Sequence, residues 1–230
     1  GLLDRQPAIG SVIVEPIAGR EGVLYPRSGW LQMLSHVCRD HDVVLIADEI
    51  LTGFGRTGSL FAVQAEDIQP DLICCGKALA GGLPIGAVLG GRSLMASWEV
   101  EGEALHTATF LANPLSCAAA LAVLGILEEE GLIDRAAALG ETVGSRLRQW
   151  ESSPQVAQIR GRGLLWGIEM EGGLAAPIAA KALRRGVLVL PSGPEGRVLQ
   201  ICPPLTIARS QLDESLSILE RLLEEGETSK

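Results

Sequence analysis

Apolar residues in this chain occur in two textures. In the first half they form short continuous runs: IGSVIV at 9–14, VVLIA at 43–47, DLICC at 71–75 and PIGAVL at 84–89. Each run is bounded by glycine, proline or charged residues, a pattern that predicts strands of a mainly parallel sheet buried on both faces. LHTAT at 105–109 predicts one more strand. Between the first two runs, residues 26–41 place Trp30, Leu31, Leu34, Val37 and Cys38 on one face of a helix, with Pro26 in its first turn. Strand, helix and strand in that order make a right-handed crossover unit. Residues 115–127, after Asn113-Pro114, are small and apolar on every side and predict a helix buried all round.

From Leu132 onward polar residues interleave with apolar ones. Leu132, Ala136, Leu139, Val143, Leu147 and Trp150 recur at helical spacing. Residues 156–170 predict paired strands around a bend at Gly161 to Gly163, and 175–185 a helix closed by Gly186. Strands follow at 186–190 and 198–201. Ser210-x-x-Asp213 predicts the capping box of a last helix, with Leu212, Leu216, Leu219 and Leu223 inward. The expected division is therefore residues 1–140, part of a large α/β domain, and 141–230, a smaller α+β domain.

The chain's 230 residues, 47% hydrophobic and 20% charged, exclude a disordered or fibrous protein. A net charge of -9 argues against non-specific nucleic-acid binding and against an anionic membrane surface. The longest apolar stretch is too short to span a bilayer, and no signal peptide is read. Five cysteines, an odd number set mostly in apolar runs, suggest buried thiols in a reducing compartment, the cytoplasm. Adjacent Cys74 and Cys75 fall on opposite faces of a strand, so no metal site is assigned.

Two residues carry candidate chemistry. Asp48 ends one predicted strand and Lys77 follows another, and ligands of open parallel sheets gather at such carboxyl ends. A lysine buried there would have a lowered pKa and act as a Schiff-base nucleophile. It could equally end a strand at the surface with its amine in water. Gly76, Gly81 and Gly82 allow close approach to a ligand or an ordinary tight turn. The Asp48-Glu49 pair either caps a helix or holds a carboxylate against a cationic ring nitrogen.

Taken together, ADEILTGFGRTG, DLICCGKALAGGLPIGAVLGG and HTATFLANPL resemble the core of class III aminotransferases, the ornithine and ω-amino acid type. VEPIAGREGV and RGRGLLWGIEM are also similar to that family, so the resemblance covers essentially the whole chain. It implies a fold type I enzyme that uses pyridoxal 5'-phosphate to move an amino group from an amine or ω-amino acid to a keto acid by a Lys Schiff-base, ping-pong mechanism. Lys77 would be the Schiff-base lysine and proton carrier, Asp48 the partner of the ring nitrogen, and Ile50 the side chain packed on the ring. Thr109 would offer its hydroxyl to the cofactor phosphate of a neighbouring subunit, which implies a homodimer with shared active sites. His106 is read as structural.

The chain departs from the family's pattern in three places. Leu51 stands where members acting on ornithine or 4-aminobutyrate carry a Gln. Gln200 stands where an Arg binds the substrate carboxylate, and Arg20 replaces the Glu that pairs with that Arg. Either the amino donor lacks a carboxylate there or Arg20 supplies the charge; Arg20 could also be a solvated loop residue. Finally, no phosphate loop precedes Gly10, so the sequence resembles the C-terminal half of such an enzyme. A non-catalytic or split half that needs a separate N-terminal segment is the rival reading, beside a related mutase, decarboxylase or racemase.

Overall fold

A computed structural model describes residues 2–6, 8–98 and 109–227. The chain divides into two compact units, Gly1–Pro16 with Pro26–Phe54 and Leu60–Gly131, and Ile17–Tyr25 with Gly55–Ser59 and Leu132–Lys230. The units part at Gly131/Leu132 rather than at 140/141. The reason is α5 (Leu132–Leu147), whose Ala136, Leu139, Val143 and Leu147 all enter the core of the second unit.

The first unit opens with a short helix α1 (Leu2–Arg5) and strand β1 (Ser11–Val14). Helix α2 (Trp30–Asp40) leads to β2 (Val44–Asp48), and β3 (Leu72–Cys75) and β4 (Ala87–Gly90) complete a sheet of order β1-β2-β3-β4. The first three strands run parallel, whereas β4 runs antiparallel to β3, a direction that the apolar run at 84–89 did not signal. Helix α2 begins at Trp30 and not in the turn of Pro26, because Gly29 takes a left-handed φ of 79° at its N-cap. A short helix α3 (Arg92–Met95) follows β4. Of the strand expected at 105–109, residues 105–108 lie outside the described residues, as does His106, and Thr109 lies in a turn.

The register puts Val12, Val14, Leu45 and Ala47 on one face, where α2 supplies Leu34 and Cys38 to the core. The opposite face carries Ile13, Ile46, Leu72 and Val88, none of them buried; Ile13 is 63% exposed. The expectation of a sheet buried on both faces therefore fails within this unit. Helix α4 (Pro114–Glu129) begins at Asn113, whose side-chain Oδ1 accepts the amide N–H of Leu115 at 3.0 Å. It is not buried all round either. Ser116, Ala120 and Leu127 are buried, while Leu115 and Leu121 are 75% and 72% exposed.

Cys75 is buried, and that burial, reinforced by the charge of Glu49, pushes its thiol up to about 11. A raised folded-state pKa gives stability that is whole below the unfolded value and is lost as pH rises through the folded one. The urea midpoint should thus fall between about pH 9 and pH 11, and Cys75→Ala should flatten that fall.

In the second unit β5 (Val156–Arg162), β6 (Leu165–Met170), β7 (Leu190–Ser192) and β8 (Val198–Ile201) form an antiparallel sheet of order β5-β6-β8-β7. Helices α5, α6 (Ala175–Arg184) and α7 (Arg209–Glu227) share one core with it, built on Trp166, Ile168, Met170, Leu199 and Ile201. The strand expected at 186–190 shrinks to β7, which starts only at Leu190. Helix α7 starts before the expected capping box: Leu212 N–H already donates to Ala208 O at 3.0 Å, so Ser210 lies inside the first turn. Leu212, Leu216, Leu219 and Leu223 are buried as the spacing requires.

The bend of the β5–β6 hairpin is wedged between Gly55–Ser59 and α5. Gly163, at φ 57°, leaves no room for a side chain: a Cβ would lie 2.4 Å from the Thr57 carbonyl carbon. Gly140 on α5 meets it from the other side, its Cβ position 2.5 Å from Gly163 Cα. Arg56 closes the turn by donating to the carbonyls of Leu164 at 3.0 Å and Pro203 at 2.5 Å. Among the described residues, no helix is long and apolar enough to cross a membrane.

Candidate active site

In the first unit the candidate residues collect where β2 and β3 end. Asp48 is the last residue of β2 and pairs in register with Cys74 on β3, so their side chains share a face. Its Oδ1 accepts the amide N–H of Ile50 at 3.0 Å, which fixes the carboxylate in the turn. Ile50 packs against Gly76, where a Cβ would lie 3.2 Å from Ile50 Cγ2. Gly76 is thus the residue that lets the backbone just ahead of Lys77 come down on Ile50.

Lys77 opens a 3₁₀ turn, Lys77–Ala80, in which Leu79 N–H donates to Gly76 O at 2.9 Å. The lysine is exposed, not buried as one reading of the strand end required. Its backbone is the unusual feature: φ is 36°, a left-handed value that a residue with a Cβ adopts only under constraint. Helix α4 packs against this turn, with Val123 Cγ2 only 3.1 Å from a Cβ built at Gly81. An acid, an amine and an apolar side chain at neighbouring strand ends have the chemistry that fits an aldehyde-bearing pyridinium ring.

Glu49 proves to have a role different from that of its neighbour. It is fully buried, accepts the Thr52 hydroxyl, and takes the Val63 N–H at 2.9 Å. One carboxylate of the Asp-Glu pair therefore takes the Ile50 amide at the strand end and the other fastens the turn after β2. Glu49→Ala should destabilise the chain by about 3 kcal/mol by leaving two buried donors unpaired. Glu49→Gln, which keeps an acceptor, should cost less; chemical denaturation checks both.

Thr109 is exposed, in a turn ahead of α4 and followed by exposed Phe110 and Leu111. Arg20 and Gln200 belong to the second unit. Arg20 is exposed, and its carbonyl accepts the Gly193 N–H at 2.9 Å. Gln200, half-buried on β8, stands in register with Gly167 on β6 and Leu190 on β7. Glu49 neither caps a helix nor stands free for a ring nitrogen, the two roles its pairing with Asp48 suggested, and Arg160, which no motif singled out, holds the Arg20 loop through bonds 137 and 138 residues apart in sequence. No local spacing could have announced the Arg160 contacts.

Comparison with known proteins agrees with these motifs. The family model for Aminotransferase class-III matches residues 3–223. A 4-aminobutyrate aminotransferase of Mycobacterium leprae is 40% identical over 224 residues, covering 94% of this chain and 50% of that protein. An acetylornithine aminotransferase of Methanothermobacter thermautotrophicus is 40% identical over 214 residues, covering 93% and 53%. The chain spans about half the length of the curated relatives it matches. The crystal structure of an ornithine aminotransferase from Toxoplasma gondii superposes with a TM-score of 0.91 at 35% identity, over 98% of this chain and 54% of that one. The α/β architecture is that of fold type I, with a mainly parallel mixed sheet and an antiparallel one. Enzymes of this family use pyridoxal phosphate. By its motifs, its fold and its relatives, this chain belongs to the class III aminotransferases.

Proposed function

We propose that the chain carries the lysine-bearing half of an aminotransferase that moves an amino group from an amine or ω-amino acid to a keto acid. The observation that supports this most is the convergence of Asp48, Ile50 and Lys77 on the carboxyl ends of two adjacent parallel strands. Bound pyridoxal 5'-phosphate would supply an aldehyde for covalent capture of an amine and a protonated ring that accepts electron density. Lys77 Nζ would be the covalent anchor and, once displaced by the incoming amine, the base that would move a proton from the substrate's amine-bearing carbon to the cofactor's former aldehyde carbon. Asp48, with one oxygen held by Ile50 N–H, would offer the other to the ring N–H and keep it charged. Ile50 would shield one face of the ring from water.

Thr109 would serve the phosphate in a partner subunit. We propose a second copy of this chain as the cover for Phe110, Leu111, Leu115 and Leu121, the exposed apolar stretch that begins beside it. Carboxylate recognition falls to Arg20 in this reading, because Gln200 is a neutral amide. The five free thiols suit a cytoplasmic setting.

The uncovered sheet face through Ile13, Ile46, Leu72 and Val88 favours a second reading of how this activity is assembled. Parallel sheets are covered on both faces, and the relatives are about twice as long. A separate N-terminal segment would lie on that face, and the chain without it would not turn over. Absorbance of the cofactor mixed with this chain, alone and with such a segment added, separates the cases. An ω-amino acid should bleach the visible band where the site is complete. No response to any amine in either mixture would refute the proposed activity.

A further inference from the structure

Glu49 is a buried carboxylate that the proposed chemistry leaves unused. It has no exposed surface, and a carboxylate so placed is tolerated only when its oxygens find donors. Both do: Oε2 accepts the Thr52 hydroxyl, and Oε1 accepts the Val63 N–H at 2.9 Å. The backbone is engaged as well, its N–H donating to Cys74 O at 3.0 Å and its carbonyl accepting the Gly53 N–H at 2.9 Å. Four bonds therefore tie one residue to β3, to the turn that follows β2, and to the chain where it returns at Val63.

The peptide between Glu49 and Ile50 carries this hold to Asp48. A peptide unit is planar and rigid, so its carbonyl and its N–H turn together. The carbonyl end is held by Gly53, and the N–H end donates to Asp48 Oδ1 at 3.0 Å. Gly53 sits too close for a side chain: a Cβ there would lie 2.9 Å from Glu49 O and 3.4 Å from Phe61 Cδ1. Thr52, which the Glu49 side chain ties down, directly precedes Gly53 in this turn. Releasing the Glu49 carboxylate would thus free the turn that aims the Ile50 N–H at Asp48.

We propose that Glu49 is a positioning residue: by tying Thr52 and Val63 it keeps the Glu49–Ile50 peptide in the orientation that holds the Asp48 carboxylate ready for the cofactor's ring nitrogen. This rests on the reading of Asp48 given above. A carboxylate fixed beforehand needs no reorientation when the ring arrives, which is what makes its charge effective there. The two adjacent acids thereby divide the work. Asp48 supplies the charge, and Glu49, which touches neither ring nor substrate, supplies its geometry.

Amide exchange followed residue by residue by NMR on the cofactor-free chain tests the hold without any turnover. Glu49→Ala should speed exchange of the Ile50 and Gly53 amides roughly tenfold or more beyond any change at Leu45, a β2 amide that donates instead to Asp71. Glu49→Gln should restore part of the protection, since its amide oxygen can still accept the Val63 N–H. Thr52→Val, a milder change that leaves the Val63 bond in place, should give a smaller acceleration and covers the case of a Glu49→Ala variant that fails to fold. Ile50 exchange that rises no more than that of Leu45 in the folded variants overturns the proposal. The second arm loads the active assembly with pyridoxal 5'-phosphate isotope-labelled at its ring nitrogen, whose NMR resonance separates a protonated from a neutral ring. The parent should show the protonated ring and Asp48→Asn the neutral one, with Glu49→Ala and Thr52→Val displaced toward Asp48→Asn. A variant that is only less stable would keep the parent's resonance once folded and loaded. Parent-like resonances in both of those variants, beside a neutral ring in Asp48→Asn, overturn the role of Glu49 and leave the Asp48 reading intact. A protonated ring in Asp48→Asn overturns the Asp48 reading itself, and with it the role given to Glu49.

Discussion

Lys77→Gly should yield a protein that is more stable than the parent and without turnover. The two halves of that result have separate causes. The lysine backbone sits at φ 36°, where a Cβ is unfavourable and a glycine is not, so the substitution relieves about 1 kcal/mol of strain. The side chain is exposed, so its removal opens no cavity. Activity, by contrast, loses its proton carrier, a step that contributes about 10²- to 10⁴-fold, and its covalent anchor as well. Lys77→Ala should lose as much turnover without the gain in stability. The comparison, read by thermal denaturation beside a transamination assay of the active assembly, separates strain kept for function from strain that is merely tolerated. A glycine variant less stable than the alanine variant would show that the positive φ at position 77 imposes no net strain on a residue with a Cβ.

Gly163→Ala should cost about 3 kcal/mol or more. Its Cβ would stand 2.4 Å from the Thr57 carbonyl carbon and 2.6 Å from the Gly58 nitrogen, both backbone atoms with no rotamer to yield. The left-handed φ of 57° adds its own penalty. Moving the hairpin away would stretch the Leu164 N–H to Arg56 O bond, now 2.9 Å. Gly172→Ala is the control: its φ of 60° is similar, but nothing lies within 4 Å of the added Cβ, so it should cost only about 1 kcal/mol. Urea denaturation of the two variants gives the steric part by difference. Equal losses would mean that conformation alone, and not the close crossing of three backbone segments, keeps glycine at 163.

How far the fold could be read in advance depended on the range of the interactions. Strands β1, β2 and β3 are legible as apolar runs, and Asp48, Ile50 and Lys77 as parts of motifs, because each is written in contiguous residues. The antiparallel direction of β4 is not, since four apolar residues look the same either way. Helix α4 misled for a related reason: apolarity on every side says that a helix can be buried, not that its own unit buries it, and Leu115 and Leu121 stay exposed. Pro26 suggested a helix start that Gly29 took over by turning the chain. Within the site, the positive φ of Lys77 is a property of the folded turn, and the burial of Glu49 goes with its bonds to the Thr52 hydroxyl and the Val63 N–H. Arg160 is the extreme case, joining β5 to a loop 138 residues earlier in the chain.

The claim that Lys77 is the covalent anchor has one direct measurement. The chain contains three lysines, Lys77, Lys181 and Lys230. Cofactor-loaded protein is reduced with borohydride, digested, and mapped for the modified lysine by mass spectrometry. The label is expected on the peptide that contains Lys77, at close to one per chain, and absent from Lys77→Ala. Label on Lys181 or Lys230 in the parent protein, or no label in an assembly that turns over, would contradict it.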